Sequence, residues 1–363
     1  MKYEFKKTLN TFRFILIIIF VILIQLVLSI YKFEPKISTD IEQKIYNTVS
    51  GKYTDEHLHY IKELREIAND AKYKIDEAKI NLESGKISNS EFLVFVAKYS
   101  ELANSIDDIN KIYSKYSRLN SNSKSYMLYD ENISTYLLKE DIPFALIVGI
   151  LFLCTEIFRI DYTSGMQDIL ISTPNGRKRL FIKKIFISIL TCMVLVFLVS
   201  ITEFLVYCIR CGSYGFDFPV QSIEAYEDFT KDLTIWQVCL CVIICRLLGA
   251  IYLGCIISFV TVIFKSIHLS VFITIFVSVV PYFLFTNVNR YIIPLPCGLL
   301  IGNGFIFPDT EYLSVVEGTE KISLITTEMS VSEIKIVITI VICVMVMMNG
   351  ITFYYYKKGD DIK

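Results

Sequence analysis

The sequence predicts an all-α integral membrane protein with six transmembrane helices and an extracellular helical hairpin inserted between the first and second of them. Three observations lead to this fold class. Hydrophobic residues make up 53% of the 363 residues and charged residues only 20%, whereas soluble domains carry more charge. The apolar residues are concentrated in six long stretches. A single long segment, 32–141, has the composition of a water-soluble domain.

The six apolar stretches are candidate membrane spans, because about 20 apolar residues cross the roughly 30 Å hydrocarbon layer as a helix. The second stretch is short and the fourth is longer than a straight crossing needs. The residues at which these two spans begin and end are therefore not fixed by the pattern. The stretches are Phe14–Tyr31, Pro143–Phe158, Ile185–Cys208, Ile235–Phe264, Leu269–Thr286 and Ile334–Tyr356.

Residues 1–31 are expected to hold a short interfacial helix and the first span. The apolar run is long for a secretion signal and no small-residue cleavage site follows it, so we expect a permanent anchor. Ahead of the span, Phe5, Leu9 and Phe12 share one helical face. That pattern suits a helix lying in the inner membrane interface, and a plain cytoplasmic tail is the alternative.

The basic residues predict the orientation of the spans, because short cytoplasmic loops are enriched in Lys and Arg. With both termini inside, the short outer loops hold only Arg210, Lys231, Arg290 and Lys321. The cytoplasmic segments then hold fourteen: Lys2, Lys6, Lys7, Arg13, Arg159, Arg177, Lys178, Arg179, Lys183, Lys184, Lys265, Lys357, Lys358 and Lys363. We therefore expect a multi-pass protein of a bacterial plasma membrane, with both termini cytoplasmic.

The extracellular domain, 32–141, is predicted to be an antiparallel pair of helices. Its first apolar stripe consists of Tyr60, Leu64, Ile67, Ala71, Ala78 and Leu82. A polar turn around Gly85 interrupts the pattern, which resumes from Phe92 to Tyr116. Stripes at spacings of three and four residues are typical of amphipathic helices. Either Ser88 or Ser90 is a candidate N-cap of the second helix.

Residues 142–363 are expected to hold spans two to six. Between spans five and six lies the segment 287–333, whose part Tyr291–Phe307 is apolar but interrupted by Pro294, Pro296 and three glycines. It is too broken to cross the bilayer and too apolar for an open loop. Irregular backbone exposed to lipid is not tolerated, so we expect a helix or re-entrant segment packed in the outer leaflet.

Few residues in the chain suggest catalysis or metal binding. His57 and His59 are two apart, so on a helix they point to different faces and do not share a metal. Cys208 and Cys211 form a CxxC at the outer end of the third span. This spacing is compatible with two free interfacial thiols, with a disulfide or with a metal site. A phosphate-binding G-x-x-x-x-G-K-[ST] loop is absent from the sequence, and no net basic charge favours nucleic-acid binding.

The segment 160–184, between spans two and three, is the most informative part of the sequence, and we call it the coupling loop. Ile169, Leu170 and Ile171 form a short apolar cluster, and Pro174 ends any helix there. Asn175-Gly176 is a turn, and five basic residues follow. This pattern predicts a short interfacial helix, a sharp stop and a return into the membrane. Such an element can pass force to the spans on either side.

Here the chain resembles the ABC type-2 permease family. That family carries an acidic residue, a Gly four positions later, a Leu-rich turn, a small-Thr-Pro triplet and an Arg ahead of its third span. The chain departs from it with Asp161 in place of the usual Glu, and with Met166 in place of a small hydroxyl residue. The matching positions are Asp161, Gly165, Ile169, Leu170, Ser172, Thr173, Pro174 and Arg177.

This resemblance implies a permease subunit of an ABC exporter that performs no ATP hydrolysis itself. It implies partner ABC ATPase subunits, which bind ATP and Mg²⁺, and a second permease subunit that is identical or paralogous. No cofactor is expected on this chain. Asp161, Gly165, Leu170, Thr173, Pro174 and Arg177 are the residues it assigns to contact with the ATPase. A peptide, lipid-like or envelope-related amphiphile is the expected substrate class.

Two further groups of residues inside the spans are candidate functional positions. Glu203 and Arg246 lie in spans three and four, where an unpaired charge is costly; they either line a substrate path or lock the two helices together. Ala250, Gly254 and Ser258 follow the small-xxx-small pattern of closely packed helices. Their stripe is either a subunit interface or a packing surface within one subunit.

The alternative to transport is a membrane sensor or envelope-assembly protein whose extracellular domain binds a ligand or partner. A sensor normally has a cytoplasmic signalling domain, and the largest cytoplasmic segment expected here is the coupling loop. An intramembrane enzyme would need paired acids or a His/Glu motif within the spans, and the sequence has neither.

Overall fold

The computed structural model describes residues 12–34, 40–119, 126–129, 131–137, 142–163, 176–226, 229–264, 266–284, 294–302, 309–313, 323–327 and 330–358. Helices dominate these residues, accompanied by one antiparallel pair of strands, β1 (Asp309–Leu313) and β2 (Ser323–Thr327). The helices are α1 (Phe12–Lys32), α2 (Asp40–Val49), α3 (Asp55–Glu83), α4 (Asn89–Asn104), α5 (Ile106–Leu119), α6 (Glu131–Leu137), α7 (Phe144–Thr163), α8 (Gly176–Cys211), α9 (Ile235–Phe264), α10 (Ile267–Leu284), α11 (Pro296–Ile301) and α12 (Val331–Lys358).

The chain forms two compact units. The membrane unit comprises Met1–Glu34, Thr135–Ser213 and Trp236–Lys363, and the insertion unit comprises Pro35–Ser134 and Tyr214–Ile235. The insertion unit therefore includes a segment, 214–235, that the sequence analysis did not assign to the domain at 32–141. That segment follows the end of α8 and precedes α9, so two separate stretches of chain build one unit.

Four helices are long and apolar enough to cross a membrane: α1, α8, α9 and α12. A multi-pass membrane protein is the architecture that such helices indicate. The apolar parts of α7 and α10, Phe144–Phe158 and His268–Pro281, are shorter. At 1.5 Å per residue they extend only about 20–23 Å, less than the usual hydrocarbon thickness. The predicted count of six spans thus corresponds to four long helices and two shorter apolar ones.

The core of the membrane unit forms where α1, α7 and α8 pack against one another. Gly149 on α7 permits the closest approach, because a Cβ at this position would lie 2.9 Å from Cγ2 of Val21 on α1. One polar contact is enclosed on α1, where the amide of Gln25 donates to Ser29 Oγ at 3.1 Å. The side chains that face away from this core are apolar, as expected of helices in lipid.

The short helix α11 lies in the predicted outer segment 287–333, and it is buried against α9. Its residues Pro296, Cys297, Leu299, Leu300 and Ile301 are all buried. Gly302 ends the helix in the left-handed conformation, at φ +85°, which glycine adopts at little cost. Residues 296–301 thus form a buried helix, one of the two forms expected for this segment.

Two details of the membrane unit differ from the sequence expectations. Helix α8 begins at Gly176 rather than near Ile185, because the Arg and Lys residues in between are good helix formers and the helix extends past the apolar stretch. The described fold is helical, as expected, but it also contains one element that was not predicted, the pairing of β1 with β2. Thr310, Tyr312, Ile325, Thr326 and Thr327 are residue types that favour strands.

The insertion unit has its own hydrophobic core, formed by α2, α3 and α5. Ile61 and Ala68 of α3 are fully buried and face Ile109, Ile112 and Tyr116 of α5. The hydroxyl of Tyr116 accepts a hydrogen bond from Thr54 N–H at 2.9 Å and donates one to Thr54 O. One member of the predicted apolar stripe of α3 does not belong to this core, since Ile67 is 52% exposed.

The two predicted helices and the turn at Gly85 are present as α3 and α4, which pack against each other. Ser88 is the N-cap of α4, in a capping box with Glu91. The N–H and the hydroxyl of Ser88 both donate to the Glu91 carboxylate, which holds the pKa of Glu91 below its usual range. Further on, the second helix is interrupted at Ser105, whose hydroxyl donates to Glu101 O, a bond that often bends helices.

The segment 214–235 is fixed to the rest of the insertion unit by hydrogen bonds. Ser222 Oγ accepts from Tyr126 N–H at 2.9 Å. The buried amide of Gln221 donates to Phe229 O at 3.0 Å and to Lys231 O at 2.8 Å. These bonds satisfy backbone groups in an irregular stretch that lacks the regular hydrogen bonds of an α-helix or a sheet. The segment is therefore an integral part of the unit.

Candidate functional site

The coupling loop lies between α7 and α8, and most of its predicted contact residues fall outside the described residues. This applies to Gly165, Leu170, Thr173 and Pro174. The backbone of Asp161 belongs to the last turn of α7, and Arg177 belongs to the first turn of α8. The structure therefore places the two ends of the predicted ATPase-contact motif on the two helices that flank the loop.

A buried lysine joins these two flanking helices. Lys184 of α8 is 3% exposed, and its ammonium donates to Ile157 O at 2.7 Å and to Phe158 O at 3.4 Å, both on α7. The ammonium also lies 5.5 Å from the centre of the Phe158 ring, within the range of a cation–π interaction. The sequence analysis counted Lys184 among the cytoplasmic basic residues and did not predict this contact.

An apolar cluster surrounds this contact and reaches α9 and α12. Its buried members are Ile157, Phe158, Phe181, Ile187 and Val262. The ring of Phe181, one turn before Lys184, lies 5.5 Å from Phe353 and 5.4 Å from Tyr356, both on α12. The helices that begin and end the coupling loop are therefore packed into the same end of the membrane unit as α9 and α12.

The structure brings together the two charged residues predicted inside spans three and four. Nη1 of Arg246 on α9 donates to Oε2 of Glu203 on α8 at 2.7 Å, and the two side chains are 3% and 7% exposed. A buried ion pair of this kind is stable only because each charge neutralises the other. Removal of one partner would leave the other charge in a low-dielectric environment.

A small cavity lies beside this pair, lined in part by Tyr136, Ser200, Cys239 and Arg246. Among the described residues, neither Arg246 Nε nor Ser200 Oγ has a hydrogen-bond partner. The cavity has room for about one water molecule. It is therefore far too small for an amphiphile, and in this conformation the pair connects two helices rather than lining an open path.

The small-residue stripe on α9 faces the interior of the membrane unit. Ala250 and Ser258 are fully buried. A Cβ at Gly254 would lie 3.1 Å from Cys192 Sγ and 3.4 Å from Ser188 Oγ, both on α8. Of the two interpretations that the sequence left open, the structure favours close helix packing within one subunit.

The cysteines are thiols throughout the described part of the chain, including Cys208 and Cys211 at the end of α8. Two buried thiols on neighbouring helices, Cys154 and Cys192, have their sulfur atoms 3.8 Å apart. His59 lies near Glu63 on the surface of α3. Among the described residues, no cluster of three or more His, Cys, Asp and Glu side chains is arranged to hold a metal ion.

The ion pair and the coupling loop were predicted from the sequence, and Lys184 was not. The signal that could have found it is its position, because Lys184 is the last basic residue before the apolar part of α8 and follows Lys183 by one position. Adjacent residues on a helix point in directions about 100° apart, so the two lysines can lie in different environments. Lys184 is buried, and Lys183 is half-buried.

Comparison with known proteins found no family model that matches this chain, no similar curated protein and no similar solved structure.

Proposed function

We propose that this chain is the permease subunit of an ATP-driven ABC exporter, which moves a peptide, lipid-like or envelope-related amphiphile outward by alternating access. A separate ATPase subunit binds ATP and Mg²⁺ and hydrolyses the nucleotide. A second permease subunit, identical or paralogous, completes the transmembrane path. The proposal places the protein in a bacterial plasma membrane with both termini cytoplasmic and residues 32–141 outside.

The observation that carries this proposal is the sequence pattern of the coupling loop between two helices that are fixed to each other. The pattern runs from Asp161 to Arg177 with the spacing of the ABC type-2 permease family. Lys184 and the surrounding apolar cluster hold α7 and α8 together. A soluble ATPase that pushes on such a loop would move two membrane helices at once.

In this proposal all six apolar helices cross the membrane. The four long ones need no adjustment. The shorter ones, α7 and α10, cross by local thinning of the bilayer or by contact with neighbouring helices, both of which accommodate short spans at modest cost. The apolar, lipid-compatible surfaces of both helices support this assignment, since Phe152 of α7 is 50% exposed and Phe272 of α10 is 68% exposed.

The alternative is a membrane sensor or envelope-assembly protein whose extracellular domain binds a partner. One observation favours it, the surface of α4 in the insertion unit. This helix has no buried residue, and Leu93 and Val94 are 63% and 67% exposed. Neighbouring apolar side chains at the surface are typical of binding surfaces.

A pair of matched substitutions tests the proposal and separates the two functions. Leu170→Asp would place a charge in the loop, and Leu93→Asp makes the same change on the surface of α4. We expect Leu170→Asp to weaken ATPase association by about 2–4 kcal/mol, the cost typical of a hot-spot residue, while Leu93→Asp leaves it unchanged. The measurement is Mg²⁺-dependent ATP hydrolysis and the amount of ATPase subunit that co-purifies with the chain from its native membrane.

Two results would contradict the exporter proposal. The first is the absence of any nucleotide-hydrolysing subunit in the purified wild-type complex. The second is unchanged ATPase association in Leu170→Asp, which would make the coupling loop a simple linker. Loss of a bound envelope partner in Leu93→Asp alone would instead favour the sensor or assembly function.

A further inference from the structure

Lys184, the last residue of the coupling loop, joins α8 to α7 near the ends of both helices. Ile157 and Phe158 lie about one and a half turns before the end of α7 at Thr163, and Lys184 lies about two turns after the start of α8 at Gly176. The contact therefore closes a loop of chain near its base. A displacement of the loop is therefore transmitted through the Lys184 contact to the rest of α7 and α8.

The contact depends on the positive charge and its donors rather than on the volume of the side chain. An ammonium that is only 3% exposed has lost most of its water, which is costly unless other acceptors replace it. The carbonyl oxygens of Ile157 and Phe158 are such acceptors, at 2.7 and 3.4 Å. A helical carbonyl has a second lone pair, so it accepts from Lys184 without losing its own helical hydrogen bond.

The contact is also tied to a third helix. Phe181 is on the same helix one turn earlier, and its ring contacts Phe353 and Tyr356 on α12. Helix α8 is thus attached to α7 by the hydrogen bonds of Lys184 and to α12 by the ring contacts of Phe181. Because packed helices of this kind move as discrete bodies rather than bending continuously, α7, α8 and this end of α12 form one mechanical element.

We propose that Lys184 is a positioning residue for energy coupling: it makes the two helices that flank the coupling loop move as a single body when the ATPase acts on the loop. This inference rests on the proposed exporter function. Without Lys184 the loop would still bind the ATPase, because its own surface is intact. Movement of the loop would then separate α7 from α8 instead of moving both.

The test uses three variants of the full chain in its native complex. Lys184→Met keeps the aliphatic length but removes the donors, and Lys184→Arg keeps a buried cation with several donors. Lys183→Met is the matched control, because it removes the neighbouring charge without touching the contact to α7. We expect Lys184→Met to retain the co-purifying ATPase subunit but to lose at least about fivefold of the permease-dependent ATP hydrolysis, the lower end of usual coupling effects.

Lys183→Met is expected to match the wild type, and Lys184→Arg to recover most of the lost hydrolysis. A spectroscopic distance supplies the independent readout. Spin labels at Phe152→Cys on α7 and Ile182→Cys on α8, both exposed positions, are introduced on a cysteine-free background. The distance distribution should be narrow in the wild type and in Lys183→Met, and broad in Lys184→Met.

The outcomes separate this inference from the proposed function. If Lys184→Met hydrolyses ATP like the wild type with the ATPase bound, Lys184 has no coupling role. An unchanged distance distribution in Lys184→Met would likewise refute the positioning role. If no ATPase subunit co-purifies with the wild type, it is the exporter proposal that fails. If Lys184→Met does not accumulate, Lys184→Gln replaces it, and a wild-type distance distribution in that variant would overturn the inference.

Discussion

Three charged side chains are buried in the described part of the membrane unit, and their charges are compensated in two ways. Arg246 and Glu203 neutralise each other at 2.7 Å. Lys184 instead donates to backbone carbonyls of α7. A charge inside a membrane protein is costly without such compensation and is often functional. At the scale of single residues, the ion pair connects α8 with α9, and Lys184 connects α8 with α7.

The ion pair gives a prediction about stability. Arg246→Met alone leaves Glu203 charged and buried, which we expect to cost about 3–5 kcal/mol. The double variant Glu203→Leu/Arg246→Met should regain most of this loss, because apolar replacement of a buried pair is often neutral. Thermal unfolding of the purified protein in detergent measures both variants.

Equal destabilisation in the single and double variants would show that the pair does not hold the helices together. The same variants also address the second interpretation of the pair. A double variant with wild-type stability but without transport would indicate that Glu203 and Arg246 contribute to the substrate path.

At the scale of secondary-structure elements, the docking of α11 on α9 depends on glycine. A Cβ at Gly249 would lie 2.8 Å from both Leu299 Cβ and Leu300 N. A Cβ at Gly302, the residue that ends α11, would lie 2.8 Å from Val242 O. Leu300 N and Val242 O are backbone atoms, and Leu299 Cβ is bonded directly to the backbone, so none of the three can turn aside as the tip of a flexible side chain can. The short helix is therefore held by close approach at both of these points.

We predict that Gly249→Ala lowers the stability of the membrane unit by about 1–3 kcal/mol, the usual cost of overpacking. The matched control is Gly350→Ala on α12, where a Cβ would meet nothing within 4 Å. The control should be neutral or slightly stabilising, because alanine is the better helix former. Melting temperatures of the two variants in the same detergent give the comparison, and equal values would mean that α11 shifts freely on α9.

At the scale of the whole molecule, the chain consists of a membrane unit and an insertion unit built from two separate stretches. The insertion unit has its own core around Ile61, Ile109 and Tyr116. Its second stretch, 214–235, contributes Ser222, whose hydroxyl accepts from Tyr126 N–H, and Gln221, whose amide donates to carbonyls within the stretch itself. A fragment limited to 36–125 would lack these bonds, so the natural unit for structural work is the full chain.

The proposed topology gives a prediction for the whole chain. The excess of Lys and Arg in one set of loops places Gly176 inside and Asn122 outside. A membrane-impermeant thiol reagent applied to intact cells should therefore label Asn122→Cys and not Gly176→Cys, each on a cysteine-free background. Permeabilised cells serve as the control, since both positions should react there. Labelling of Gly176→Cys in intact cells would reverse the orientation and contradict the exporter proposal.

Local chemistry in the sequence was sufficient to predict several elements. Long apolar runs identified the helices α1, α8, α9 and α12, because membrane-spanning length and composition are local properties. The Gly85 turn and a serine cap were likewise readable, since both depend on residues a few positions apart, and the structure selects Ser88 over Ser90 as the cap. The pairing of Glu203 with Arg246 followed from the cost of an unpaired charge in a span, without knowledge of the distance.

Other features were decided only by tertiary structure, because they depend on which helix faces which. Periodicity alone left the stripe of Ala250, Gly254 and Ser258 open between two interfaces, and packing against Cys192 placed it inside the unit. Ile67 looked like a core residue, yet Ile61 and Ala68 took that place against α5. Lys184 looked like one of several surface charges. Its role follows from the carbonyls of α7, which are far away in sequence and near only in the folded chain.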